Sequence, residues 1–235
     1  KGINVTPRLQ EGVKKYTYSV TEIADFYAEN IRICDGNITF DFVGPEIRIP
    51  DVELGVPVKV NIENGVAAMA IAWLNGVKPE DLKKGMATFA GPRRRFDFHL
   101  KTDQVVLIDD YAHHPTEIAA TLKAAQNYPH KTLWCIFQPH TYTRTKSFMK
   151  EFAQALSHAD HVILADIYPA RETDNLGISS ETLQKELLAL GAKCTYLPSF
   201  EEIEKYVLEN CTSGDLLITM GAGDVVKIGE NLLGI

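Results

Sequence analysis

A chain of 235 residues is longer than one average domain, so two units, each able to bury a core, are expected. With 31 acidic against 24 basic residues the formal charge is -7, which argues against a nucleic-acid surface, whose footprint is a basic face; the cluster Arg93, Arg94 and Arg95 is too small to reverse that balance. No apolar run approaches the roughly 18 residues of a membrane span and no signal peptide opens the chain, while cysteines 34, 135, 194 and 211 lack any C-x-x-C pairing and read as reduced thiols of a cytoplasmic protein.

Two short alternating runs, 28–34 and 37–43, flank Asp35-Gly36 and predict a β-hairpin. Ile62, Val66, Met69, Ala70 and Trp73 recur at helical spacing and predict a helix over 61–74, and Pro79 opens a second. Gly91-Pro92 breaks the pattern before the three arginines, which is how an inter-domain linker reads. A first unit over 1–92, a linker at 93–96 and a second unit over 97–235 are therefore expected. In the second, strands at 97–101, 105–109, 132–137, 161–166, 193–197 and 215–220 alternate with helices near 116–127, 144–157, 180–190, 200–210 and 223–233. That alternation predicts an α/β fold with a mostly parallel sheet flanked by helices on both faces.

Residues 109–117 read D-D-Y-A-H-H-P-T-E, a strand-to-helix corner holding two carboxylates, a phenol and two imidazoles. In an open α/β sheet, ligands bind beyond the carboxyl ends of the strands, and a proline at the first helical position leaves amide donors free for an anion. The plainer alternative is a polar loop whose histidines only cap the helix. Three more strand ends carry polar groups: Q-P-H-T-Y-T-R-T at 138–145, D-I-Y-P-A-R-E at 166–172 and G-A-G-D at 221–224. Parallel strands end on one edge, so these loops should share a cleft with the corner. Gly221 and Gly223 read as a tight turn, because a dinucleotide fingerprint needs a third glycine where Val226 stands. His113, His114, Glu117, Asp109, Asp110 and His140 supply enough ligand types for a metal, but no two histidines stand at i,i+4 and adjacent His113 and His114 cannot both enter one small site. No metal ligand is assigned.

The corner, roughly fifteen residues after R-R-F at 94–96, resembles the Mur ligases, ATP-dependent amide-forming enzymes of peptidoglycan synthesis. F-Q-P-H-T-Y-T-R-T at 137–145, D-I-Y-P-A-R-E at 166–172 and M-G-A-G-D at 220–224 resemble the branch that joins L-alanine to UDP-N-acetylmuramate. The resemblance implies three domains, of which this chain would hold the back of the central ATPase domain and the whole carboxyl-terminal Rossmann-like domain. The chain starts at Lys1 and contains no G-x-x-x-x-G-K-[ST]. The implied partner is thus an upstream region of the same polypeptide, and this piece alone is expected to be inactive. A metal-dependent phosphoesterase or a nucleotide-binding module is the alternative class.

The resemblance also implies roles. ATP phosphorylates the sugar's carboxylate, the alanine amine attacks the acyl phosphate, and magnesium with guanidinium groups meets the charge that accumulates. Asn61 and Asn64 match an N-x-x-N that contacts adenine, although a pair satisfying backbone at the helix start is the duller reading; Val60 stands where relatives carry histidine. Arg95 matches the linker arginine brought to the nucleotide, with Arg93 and Arg94 expected to be solvated. Asp110 resembles the aspartate that holds the ribose, and Tyr111 and His113 face the amino acid, where an imidazole could take the amine's proton. His114 is expected to cap the following helix. Arg144 would grip the alanine carboxylate, alone or with His140, since Thr141 stands where some relatives have a second arginine; Arg171 could supply the missing charge instead, although a loop arginine paired with Glu172 is the duller reading.

Overall fold

The structure, a computed structural model, describes residues 9–34 and 36–235. The chain divides into two compact units, the first ending at Ala90 and the second spanning Gly91–Ile235.

In the first unit β1 (Tyr18–Ser19), β2 (Phe26–Cys34), β3 (Asn37–Gly44) and β4 (Ile47–Glu53) form one sheet in chain order. The expected hairpin is β2–β3, which ends by pairing Cys34 with Asn37; its turn residue Asp35 lies outside the described residues. β4 adds to the expected elements. Pro50 weakens its strand signal, and a register shift opposite Phe40 and Phe42 brings Ile49 and Val52, three residues apart, into the same core and breaks the alternation. Helices α1 (Val60–Leu74) and α2 (Pro79–Thr88) cover the sheet, packing Ile62, Val66, Met69 and Leu82 against Phe26, Phe40, Phe42 and Val52. Pro79 opens α2, where a missing N–H costs nothing, and Glu80 and Asp81 complement the positive end of the helix.

The second unit carries six strands in the order β5-β6-β10-β7-β8-β9: β5 (Asp97–Lys101), β6 (Val105–Asp110), β7 (Leu133–Phe137), β8 (His161–Leu164), β9 (Cys194–Tyr196) and β10 (Asp215–Met220). Apart from β5, which runs antiparallel to β6, all neighbours are parallel. Every residue of β7 and β10 is buried, as expected of central parallel strands covered on both faces. Side chains alternate between those faces. Leu107, Trp134, Ile136 and Leu217 meet Ile203 and Val207 of α7 (Phe200–Asn210) and Ile228 of α8 (Val226–Leu233), whereas Phe137 turns the other way onto Phe152 of α5 (Met149–Leu156). On that second face α5 packs between α3 (Pro115–Ala125) and α6 (Ser180–Ala189).

The chain therefore leaves β6 and β7 toward one face and β10, which lies between them, toward the other. Such a reversal opens a crevice at the carboxyl ends of the strands. The ladder continues past β10 into it: Gly221 N–H donates to Asp110 O at 3.0 Å, and Gln138 N–H to Met220 O at 3.0 Å.

Three boundaries differ from expectation for local reasons. The helix expected over 144–157 is two, α4 (Tyr142–Ser147) and α5, interrupted at Phe148, whose ring meets His114 with centroids 5.0 Å apart. α8 starts only at Val226 because Gly221, at φ +148°, begins a turn pressed on Gln138; a Cβ there would come within 2.7 Å of the Gln138 carbonyl oxygen. Residues 93–96 are no free linker but part of the second unit. Tyr111 N–H donates to Arg94 O at 2.7 Å, Phe96 N–H donates to Asp110 Oδ2 at 3.0 Å, and the Phe96 ring is buried between Phe98 and Tyr128. Among the described residues no helix is long and apolar enough to cross a membrane.

Candidate functional site

The corner after β6 is built on two buried carboxylates. Asp109, with no exposed surface, accepts from Thr219 Oγ1 at 2.7 Å and from Arg94 Nε at 3.0 Å. Asp110 accepts from Phe96 N–H at 3.0 Å, Ala112 N–H at 2.8 Å and Thr121 Oγ1 at 3.0 Å. Burial pushes both carboxyls above the usual range against the pull of those donors, including the Arg94 guanidinium at Asp109. Burial outweighs a 3.0 Å ion pair here because the charge has left water entirely. These carboxylates hold the corner in shape. Asp110, expected at a ribose, already accepts three hydrogen bonds from its own chain.

Above this floor the loop side chains converge. The Tyr111 ring meets His113 edge-on with centroids 5.3 Å apart, His113 lies 6.1 Å from His140, and His140 stacks on Tyr168 at 5.5 Å. Arg144 Nη1 is 3.4 Å from His140 Nδ1. Arg95, exposed, holds its guanidinium 5.4 Å from the centre of the Tyr111 ring. Four residues expected at the substrate, Tyr111, His113, His140 and Arg144, are thus neighbours on one edge of the sheet.

Hydrogen bonding assigns the imidazole roles. His113 Nδ1 lies 2.9 Å from the Tyr111 carbonyl oxygen, which can only accept, so Nδ1 carries a proton, and in the neutral ring the lone pair is on Nε2. Glu117 Oε2 accepts from the His113 N–H at 3.2 Å and lies 3.7 Å from Nδ1. At His140 the partner is a guanidinium, which can only donate, so Nδ1 accepts. Burial, then Arg144, then His113 depress the His140 pKa and favour that neutral state. His114 caps α3, its Nδ1 accepting from Thr116 N–H at 3.3 Å.

The loop after β7 is locally strained. Thr141 stands at φ +67°, a conformation that β-branched residues avoid, and is held there by its neighbours: its N–H donates to Tyr168 O at 2.8 Å and its carbonyl accepts from Thr145 Oγ1 at 2.7 Å. That geometry starts α4 and presents Arg144 beside His140. Glu172 accepts from Thr143 N–H at 3.0 Å instead of pairing with Arg171, and hydrogen bonding from the Thr143 side chain, more than from that N–H, holds its carboxyl below the ordinary range.

Among the described residues no three His, Cys, Asp or Glu side chains are grouped to hold a metal ion. The carboxylates of the corner serve backbone, hydroxyl and guanidinium donors, and the rings of His113 and His114 have different neighbours, His140 and Phe148.

A family model described as Mur ligase, glutamate ligase domain matches residues 94–223, more than half of the chain. The chain belongs to the Mur ligase family. It is 65% identical over 234 residues to the UDP-N-acetylmuramate-L-alanine ligase of Parabacteroides distasonis, an alignment that takes in 98% of this chain and 49% of the relative. It is 51% identical over 221 residues to the ligase of the same name from Agathobacter rectalis, covering 94% of this chain and 48% of that one. Its fold is similar to that of the UDP-N-acetylmuramate-alanine ligase of Thermotoga maritima, with a TM-score of 0.79 at 23% identity over 93% of this chain and 47% of that one. The chain spans about half the length of the relatives it matches.

The matched part of this Mur ligase chain contains every rim residue named above. Asn61 and Asn64 lie outside it, in the first turn of α1. There Asn61 Nδ2 donates to the backbone carbonyl of Val56 at 3.2 Å, whereas Asn64 Nδ2 donates to the Asn61 side chain, to Oδ1 at 3.1 Å, and Asn64 Oδ1 makes no hydrogen bond among the described residues. Three residues near the site were outside the sequence reading. Arg94 was expected to be solvated, yet its Nε reaches Asp109 and its Nη2 donates to Gly221 O at 2.8 Å. Tyr168 and Gln138 were seen only as members of polar strings. Tyr168 joins the site through the bridge between its backbone and that of His140, and buried Gln138 lies under the glycine turn with its Oε1 lacking a partner among the described residues.

Proposed function

We propose that this chain is part of an ATP-dependent ligase that joins L-alanine to UDP-N-acetylmuramate in peptidoglycan synthesis, and that the rim of its second unit receives the alanine. The observation that carries the proposal is a half-buried guanidinium, Arg144, without a carboxylate partner among the described residues, on the same edge as an imidazole whose Nε2 is free to take a proton. Similarity to two relatives named for this reaction supports it. An amino acid needs both groups. The fork of Arg144 would take its carboxylate through two parallel bonds, His140 would hold that fork, and His113 Nε2 would receive the proton that the amine sheds as it attacks.

ATP would supply the phosphoryl group that turns the lactyl carboxylate into an electrophile. Arg95 has no ion pair among the described residues, so its charge is available to phosphate oxygens, and Asn61 with Asn64 retains spare amide donors and acceptors for an adenine edge. The reaction would belong in the cytoplasm, where reduced thiols such as those of Cys135, Cys194 and Cys211 persist. The chain alone should show no alanine-dependent ADP release. The direct test is calorimetric titration of L-alanine into the purified chain: saturable binding that Arg144→Ala abolishes is expected, and binding that survives the substitution would overturn the assignment.

A further inference from the structure

Arg94 is as unlike its neighbour Arg95 as two adjacent arginines can be. Its side chain is three-quarters buried, and its partner Asp109 is wholly so. Nε donates to Asp109 Oδ2 at 3.0 Å, at the end of β6, and Nη2 donates to Gly221 O at 2.8 Å, at the start of the turn after β10. The guanidinium carbon lies 4.9 Å from the centre of the Tyr111 ring. The backbone of the same residue is fastened as well: Arg94 N–H donates to Asp97 Oδ2 at 3.1 Å, its carbonyl accepts from Tyr111 N–H at 2.7 Å, and its φ is +59°. A non-glycine residue keeps that backbone only where its surroundings over-determine it. One side chain therefore touches two strand ends that the chain places more than a hundred residues apart, together with the ring between them and the candidate imidazole.

We infer that Arg94 is a positioning residue, whose guanidinium ties the β6 corner to the β10 turn and sets the Tyr111 ring against His113. The inference rests on the functional reading above and gives the rim a device that nothing in the motif strings reveals. The chemistry suits arginine alone. A planar fork holds two acceptors at fixed, separate directions while its flat face lies by an aromatic ring, and a compact ammonium lacks the span to reach both. Asp109 neutralises that charge, which lets a second guanidinium, that of Arg95, share the same ring without two bare cations meeting. Arg94 is thus used up in building the site, and Arg95 is the cation left for a ligand.

The test is tyrosine and histidine ring NMR on the full chain, with L-alanine as the titrant. Arg94→Ala is expected to move the ring resonances of Tyr111 and His113 while leaving those of Tyr196 and His161, and to weaken L-alanine roughly 5- to 10-fold, the effect of one displaced hydrogen-bonded group. Millimolar guanidinium should restore both rings in Arg94→Ala, because it can refill a largely enclosed site. If Arg94→Ala does not fold, Arg94→Lys serves instead: it keeps the charge beside Asp109 but cannot reach Gly221 as well, and the same two rings should shift. Ring resonances of Tyr111 and His113 unmoved in a folded Arg94 variant would overturn the inference. Failure of the unsubstituted chain to bind L-alanine would sink the functional reading instead, with the ring shifts still deciding on Arg94.

Discussion

The floor and the rim of the strand-end corner are made from the same kinds of residue and are used in opposite ways. On the floor, Asp109, Asp110, Thr121, Thr219 and Arg94 satisfy one another, and nothing is left over for a ligand. On the rim, His113, Arg95 and Arg144 keep bonding capacity that their own chain does not use. A polar group buried with its partners holds a shape, and one held in place without them awaits a substrate. Substitutions on the floor should therefore cost stability, and binding only through the rim they position, whereas substitutions on the rim should cost binding alone.

The largest expected effect is on the floor. Asp110→Ala strands the Phe96 and Ala112 N–H groups and the Thr121 hydroxyl in the interior, and at about 1–3 kcal/mol for each unsatisfied donor, less than additively, it should lose about 3–5 kcal/mol in urea unfolding. Asp110→Asn keeps an acceptor and should lose less than half of that. An Asp110→Ala chain as stable as its parent would erase the distinction between the two regions. Next comes the rim. Arg144→Ala should weaken L-alanine by about 100-fold, roughly 3 kcal/mol for a charged hydrogen-bonding group, with an unfolding midpoint within about 2 °C of the parent. Arg144→Lys should recover only part of the affinity, because the second bond of the fork is gone.

A smaller effect concerns protonation. The His140 pKa in the folded chain lies below the ordinary 6.5 of a histidine in water, chiefly through burial. A depressed folded pKa means that the stabilising contribution is complete above pH 6.5 and is lost as pH falls through the folded value. Acid also puts a second cation against Arg144. Histidine NMR should find His140 titrating below 6.5, and His140→Asn should flatten the acid limb of the stability curve in part, since burial depresses His158 and His161 too. The smallest effect is chemical. Burial pushes the thiols of Cys194 and Cys211 up to about 12 and Cys135 is wholly enclosed, so alkylation of the native chain should leave these three unmarked until the chain unfolds.

What could be read from the sequence follows the same division. The alternation of strands and helices in the second unit was legible because its central strands are continuous apolar runs, and the rim was legible because His113, His140 and Arg144 sit in polar strings directly after those runs. The floor was not. Nothing in R-R-R says which guanidinium turns inward; that depends on the positive φ at Arg94 and on Gly221, brought there from the far end of the chain. β4 was missed because Pro50 and a register shift hide its alternation, and the split at Phe148 because helical spacing runs through it unbroken. Local pattern showed what each element is, and long-range pairing decided what each polar side chain does.

The central claim is that the loops after β6 and β7 converge to hold one amino acid. Titration of L-alanine into the chain with its histidine rings labelled tests it most directly. Saturable shifts at His113 and His140, with His99, His130 and His161 unmoved, are the predicted result. Shifts spread over all the histidines, or absent from those two while L-alanine binds, would contradict it.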